Sequence, residues 1–130
     1  DVGPKIINPK LARTSPRELT NAIRKCRSIE DLLSLCKNHE ATLSESHVGG
    51  AWQKVGRLRP GKSFEGAQSL VEITVRVLAK ARPRTIATIA YSAARGRFFS
   101  PSLFNTIAKK AQELIRDFNS QAVANTVWAF

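Results

Sequence analysis

The 130-residue sequence predicts an all-α fold, an α-solenoid of stacked antiparallel helix pairs, and three observations carry that prediction. The chain repeats itself with a period of about 37–38 residues. Within each copy, apolar residues recur four apart, the spacing of one helix face. Prolines fall at the first turn of several predicted helices, where the missing N–H costs nothing.

The repeat reads most clearly from the end. FNSQAVANTVWAF, residues 118–130, lies over ARPRTIATIAYSA at 81–93, over LSESHVGGAWQKV at 43–55 and over TSPRELTNAIRKC at 14–26. One apolar column holds Leu19, Val48, Ile86 and Val123; a second, four residues on, holds Ile23, Trp52, Ala90 and Val127. Between them runs a column of Asn21, Gly50, Thr88 and Asn125. These segments are the B helix of each unit.

The segments that precede them repeat as well. Ile107, Ala108, Ala111, Leu114 and Ile115 lie over Leu70, Val71, Thr74, Val77 and Leu78, and Leu32, Leu33 and Cys36 begin the same pattern before His39 and Glu40 break it. These are the A helices. The predicted order is B at 15–26, A at 28–40, B at 44–57, A at 64–80, B at 83–95, A at 101–116 and B from 119. Ser15-Pro16, Arg82-Pro83 and Ser100-Pro101 mark starts, while Gly96 and Arg59-Pro60-Gly61 punctuate between pairs. A single pair cannot bury both of its faces, so stacking is the stable solution. Trp52, Tyr91 and Trp128 lie on or beside the apolar face and are read as core. Residues 1–13 are read as an extended N-terminal segment and residues 14–130 as the helical-repeat domain. With no Met, a start at Asp1 and a stop at Phe130 inside an apolar pattern, the expectation is a piece of a longer solenoid.

Charge points to the partner. The formal net charge is +11, from 21 Lys and Arg against 10 Asp and Glu. No acid falls between Glu72 and Glu113, a span that holds Arg76, Lys80, Arg82, Arg84, Arg95, Arg97, Lys109 and Lys110. Such an excess is self-repelling unless a polyanion offsets it. No apolar run is long enough for a transmembrane helix, so membrane insertion is not expected.

Motifs for chemistry are few. Cys26, Cys36, His39 and His47 form C-x9-C-x2-H-x7-H, which is not a zinc spacing, and are read as two buried thiols and two surface histidines. GRLRPGKS, residues 56–63, matches the phosphate-loop pattern, but that loop needs a strand before it, and residues 44–55 belong to a helix. The stretch is read as the turn between pairs, its glycines as punctuation, and Arg57, Arg59 and Lys62 as candidates to meet phosphate. No catalytic constellation, metal site or cofactor is expected.

FNSQAVANTVWAF resembles the P-Q-x-L-A-N-x-L-W-A signature of octotricopeptide repeats, and residues 21–58 resemble the helical repeats of organellar proteins with a FAST-kinase-like region or a RAP domain. The likeness covers roughly residues 15–130. Gly49-Gly50 replace the Ala-Asn pair in the middle copy, and Trp52 precedes the column of Tyr91 and Trp128 by one place. The resemblance implies RNA binding in mitochondria or plastids, in RNA processing, translation or ribosome assembly.

Physical chemistry leads to a similar expectation. A row of Lys and Arg along a solenoid face tracks a phosphate backbone, and polar residues at repeat-equivalent positions read unpaired bases. Arg17, Ser46, Arg84 and Gln121 form one such column; the Asn21–Asn125 column is another, unless its asparagines bond the backbone of a neighbouring helix. The expected RNA is single-stranded or ribosomal, bound alone or with other proteins of a ribonucleoprotein. The alternative is a protein-binding scaffold or a structural component of an organellar ribosome.

Overall fold

The computed structural model describes residues 14–60 and 67–130. Among them are seven α-helices and no strand: α1 (Pro16–Lys25), α2 (Ile29–Asn38), α3 (Glu45–Leu58), α4 (Ala67–Leu78), α5 (Pro83–Arg95), α6 (Pro101–Glu113) and α7 (Ser120–Ala129). Every predicted helix is present within a few residues of its expected bounds. α6 stops at Glu113, earlier than expected, and a short 3-10 turn, Ile115–Asp117, leads on to α7. The expected extended segment 1–13 and Lys62 lie outside the described residues.

The helices start where the repeat places them. Ser15, Ser44, Arg82 and Asn119 are repeat-equivalent, and each is the N-cap of a B helix. Three of the four cap with their own side chains: Ser15 accepts from Glu18 N, Ser44 from His47 N and Asn119 from Ala122 N. Arg82 has no acceptor to offer. Glu45, at the start of α3, takes the N–H of the cap residue itself, the part Glu18 plays for Ser15 in the first copy: its Oε2 accepts from Arg82 N at 2.9 Å and from Arg82 Nε at 3.2 Å, and also from the Thr85 hydroxyl. A carboxylate on the backbone N–H at a helix start is favourable twice over, by hydrogen bonding and by the helix dipole. The same contact ties the start of α3 to the start of α5.

Helices of one kind pack on each other. α1 meets α3, α3 meets α5 and α5 meets α7, with the α3–α5 and α5–α7 contacts the most extensive; α2 meets α4 and α4 meets α6. Sequence neighbours meet as well, as in α1–α2, α3–α4 and α5–α6. The chain thus alternates between a row of B helices and a row of A helices, with the core between. Leu32, Leu70 and Ile107 occupy one A column and are fully buried. On the B side Leu19, Val48 and Ile86 are buried, as are Ile23, Trp52 and Ala90. Trp52 donates from Nε1 to Thr74 Oγ1 at 2.8 Å, which satisfies the one polar atom of the largest core residue and joins α3 to α4.

Close approach of α3 and α5 rests on two glycines. A Cβ on Gly56 would stand 3.1 Å from the Ser92 carbonyl oxygen, and one on Gly96 would stand 2.9 Å from that of Val55. Gly96 does not supply the left-handed turn expected at a helix end; Arg97 does, with φ 61°. Phe98 N bonds back to Ala93 O and Arg97 N to Ala94 O, the pairing that closes a helix through a left-handed residue. Gly96 is therefore a packing residue rather than punctuation, and so is Gly56, which lies inside α3.

The fold corrects two readings of single residues. The histidines are not on the surface: His39 and His47 are both buried. His47 Nδ1 accepts from Ser44 N at 3.1 Å, so its Nε2 carries the proton and donates to the Pro16 carbonyl at 2.9 Å, clipping α1 to α3. Trp128 is not core: it is 59% exposed, against 0% for Trp52. Its ring rests on Tyr91 with centroids 4.8 Å apart.

Candidate nucleic-acid interface

A groove of about 700 Å³ runs across the B row. α3 contributes Gln53 and Arg57; α5 contributes Arg84, Thr88, Tyr91 and Arg95; α7 and the turn before it contribute Asp117, Asn119, Gln121 and Asn125; Arg82 stands at the start of α5. The helical repeat explains the assembly. Residues 84, 88, 91 and 95 share one face of α5, and 121 and 125 share the equivalent face of α7. Four arginines and one carboxylate, Asp117, line this groove. Arg57, Arg84 and Arg95 are not buried, Gln121 is exposed, and Asn125 is half-buried.

The arginines differ in how free they are. Arg82 is engaged with Glu45, although 75% of its side chain stays exposed. Burial pushes the Glu45 carboxyl upward, but the hydrogen bonds from Thr85 and from the Arg82 backbone and side chain, together with the guanidinium charge, outweigh it and hold the group below the ordinary glutamate value. Glu45 therefore stays ionised and neutralises part of Arg82.

Arg59 and Arg97 sit beside the groove rather than in it. With Arg95 they line a second hollow, of about 810 Å³, together with Phe99, Trp128 and Phe130. Arg59 adopts the left-handed conformation at the end of α3, φ 52°, and its Nε donates to the Arg95 carbonyl at 3.4 Å, covering the end of α5.

The remaining candidate cations lie elsewhere. Arg76, on α4, pairs with Glu40 at 3.6 Å. Lys110, on α6, bonds Glu113 at 3.0 Å and the Ala79 carbonyl at 3.2 Å, a tie between α6 and the end of α4. Lys80, just after α4, and Lys109, on α6, are exposed. These four belong to the A row and its turns and line neither hollow. The run of bases between Glu72 and Glu113 thus divides between two rows of helices, a division invisible in a count of charges.

The asparagine column divides too. Asn21 Oδ1 accepts from Arg24 Nη2 at 3.0 Å, a bond within its own helix and not to a neighbouring backbone. Asn125 faces the groove. Tyr91 and Gln53, which sequence reasoning did not place among the binding residues, also line it. Their position is legible in hindsight, because 53 and 91 are repeat-equivalent and lie one turn from the 50 and 88 column.

The cysteines take no part. Cys36 is buried in the core, and burial, with Cys26 nearby, pushes its thiol up to about 12. Cys26 is half-buried and is also raised, by burial and by Asp31 against the pull of Lys54. Such thiols are protonated and unreactive near neutrality. GRLRPGKS begins as the last turn of α3, with Gly56 buried against α5; Gly61 to Ser63 lie outside the described residues. Among the described residues, no helix is long and apolar enough to cross a membrane.

No family model, curated protein or solved structure matches the chain.

Proposed function

We propose that the chain is a segment of an α-solenoid that binds single-stranded RNA along the B row, with the phosphate backbone on the arginines and unpaired bases against the polar column. The single observation that carries this reading is the groove itself. Arg57, Arg82, Arg84 and Arg95 gather in one concave surface with Thr88, Gln121 and Asn125, on a chain of net charge +11. Guanidinium groups match phosphate geometry in a forked way, and Gln and Asn offer both donors and acceptors to base edges. Of the basic residues named above, this reading enlists those of the groove and its rim; Arg76 pairs with Glu40 and Lys110 ties α6 to the end of α4.

The repeat period and the likeness of residues 118–130 to the octotricopeptide signature support the same reading, and with it a place in mitochondrial or plastid RNA processing or translation. The role is binding rather than catalysis.

The test is the salt dependence of binding to single-stranded RNA. For a single strand, the slope of log K against log salt falls by about 0.7 for each phosphate that is no longer neutralised. Arg84→Ala with Arg95→Ala is expected to lower the slope by roughly 1.4, whereas Lys109→Ala leaves it unchanged. An unaltered slope in the double variant would sink the groove as the RNA path.

A further inference from the structure

We propose that the floor of the groove, where α3 crosses α5, takes the 2′-hydroxyl of a ribose on the Ser92 hydroxyl, so that the chain selects ribose strands over deoxyribose ones; this rests on the RNA reading above. Ser92 lines the groove and is only 5% exposed. Among the described residues its hydroxyl takes part in no hydrogen bond. Every fully enclosed side-chain oxygen and nitrogen of those residues does have a partner. The Ser92 hydroxyl therefore opens into the groove. A polar group so enclosed and unbonded costs free energy until a ligand bonds it.

Gly56 makes the opening. A Cβ there would stand 3.6 Å from the Ser92 Cβ, so the missing side chain leaves the hydroxyl within reach. The crossing of α1 with α3 is built differently. There Lys54 holds the repeat position of Ser92, and its amine already bonds the Arg24 carbonyl. The open hydroxyl thus belongs to the α3–α5 crossing. α5 has a B helix packed on either side, α3 and α7, so Ser92 is interior to the row.

The surroundings decide which part of a strand fits. The other buried residues that line the groove are Gly56, Ala87 and Ala122, none with a polar side chain, while Arg57 and Arg95 are exposed above them. A phosphate is held by those guanidinium groups, and drawing it down to one neutral hydroxyl would cost its solvation. A base edge presents several polar groups in a row and needs as many partners. The ribose edge matches: C–H surface and one hydroxyl that donates and accepts, as serine does. With phosphates on the arginines, the sugar is the next group inward.

The test compares oligouridine with deoxyuridine and 2′-fluorouridine strands of equal length, by fluorescence anisotropy on the wild type and on Ser92→Ala. The wild type is expected to hold the ribose strand roughly three- to tenfold more tightly than either other, the effect of one hydrogen bond. Ser92→Ala should abolish that preference by weakening the ribose strand alone. Its salt slope stays at the wild-type value because no phosphate contact is lost. Its melting temperature is no lower, because the hydroxyl bonds nothing within the chain. A 2′-fluoro strand, with RNA-like sugar pucker but no donor, bound as tightly as the ribose strand overturns the proposal. So does equal weakening of all three strands by Ser92→Ala, which assigns the hydroxyl to a phosphate or a base. RNA binding without a ribose preference in the wild type overturns it and leaves the groove reading standing, whereas failure of every strand to bind overturns both.

Discussion

Trp52 and Trp128 are the two tryptophans of the chain, one place apart in register on equivalent helices, and they have opposite fates. Trp52 is sealed between α3 and α4, its indole N–H on Thr74 and its ring 5.6 Å from Phe98. Trp128 leans on Tyr91 and turns its other face outward. Burial of an aromatic depends on what stacks beside its helix, not on the helix that bears it. The one-place shift matters as well. Trp52 is in the column that points between the rows, whereas Trp128 is in the column of Gln53 and Tyr91, which borders the groove.

The largest expected effect comes from the sealed member. Trp52→Ala empties the junction of α3, α4 and the α5–α6 turn and should destabilise the fold by about 3–5 kcal/mol in urea denaturation. Trp128→Ala removes one aromatic pair and should cost only about 0.5–1.5 kcal/mol. Equal losses would break the contrast between a closed centre and an open end.

The next effect probes how tightly that centre is closed. Gly96→Ala sets a Cβ against the Val55 backbone carbonyl, and relief requires moving α3 from α5, at about 1–3 kcal/mol by the same measurement. A stability matching wild type would show that the α3–α5 spacing is soft.

The smallest effect concerns acid. Glu45 has a folded-state pKa below its ordinary 4.5, so the unfolded chain binds the proton more readily. Its contribution is therefore fully present above 4.5 and is lost as pH falls through the lowered value. Glu45→Gln should be less stable than wild type near neutrality, with the gap narrowing in acid. A gap independent of pH would show that the Glu45 contacts to Arg82 and Thr85 act without charge.

Much of the helix content was legible because the repeat made each element testify several times. Ser15, Ser44, Arg82 and Asn119 align in sequence and are all N-caps. Less of the candidate site was legible. The number of arginines and lysines does not say which row each joins, and Lys110, a strong candidate by charge, is bonded between α6 and the end of α4. Histidine burial was missed for a similar reason. His47 stands where Glu18 closes a capping box in the first copy, and its imidazole accepts the same N–H at Nδ1 while Nε2 donates to the Pro16 carbonyl, a contact distant in sequence.

The helices, their caps, their period and the positive charge follow from the chain alone, because these are local or additive properties of its residues. Packing settled the rest: which arginines meet in the groove, that Gly56 and Gly96 serve close approach, and that Val127 and Trp128 stay open where Trp52 is closed. Those outcomes depend on what lies beside each helix, and the residues that are covered do not spell out which distant neighbour covers them.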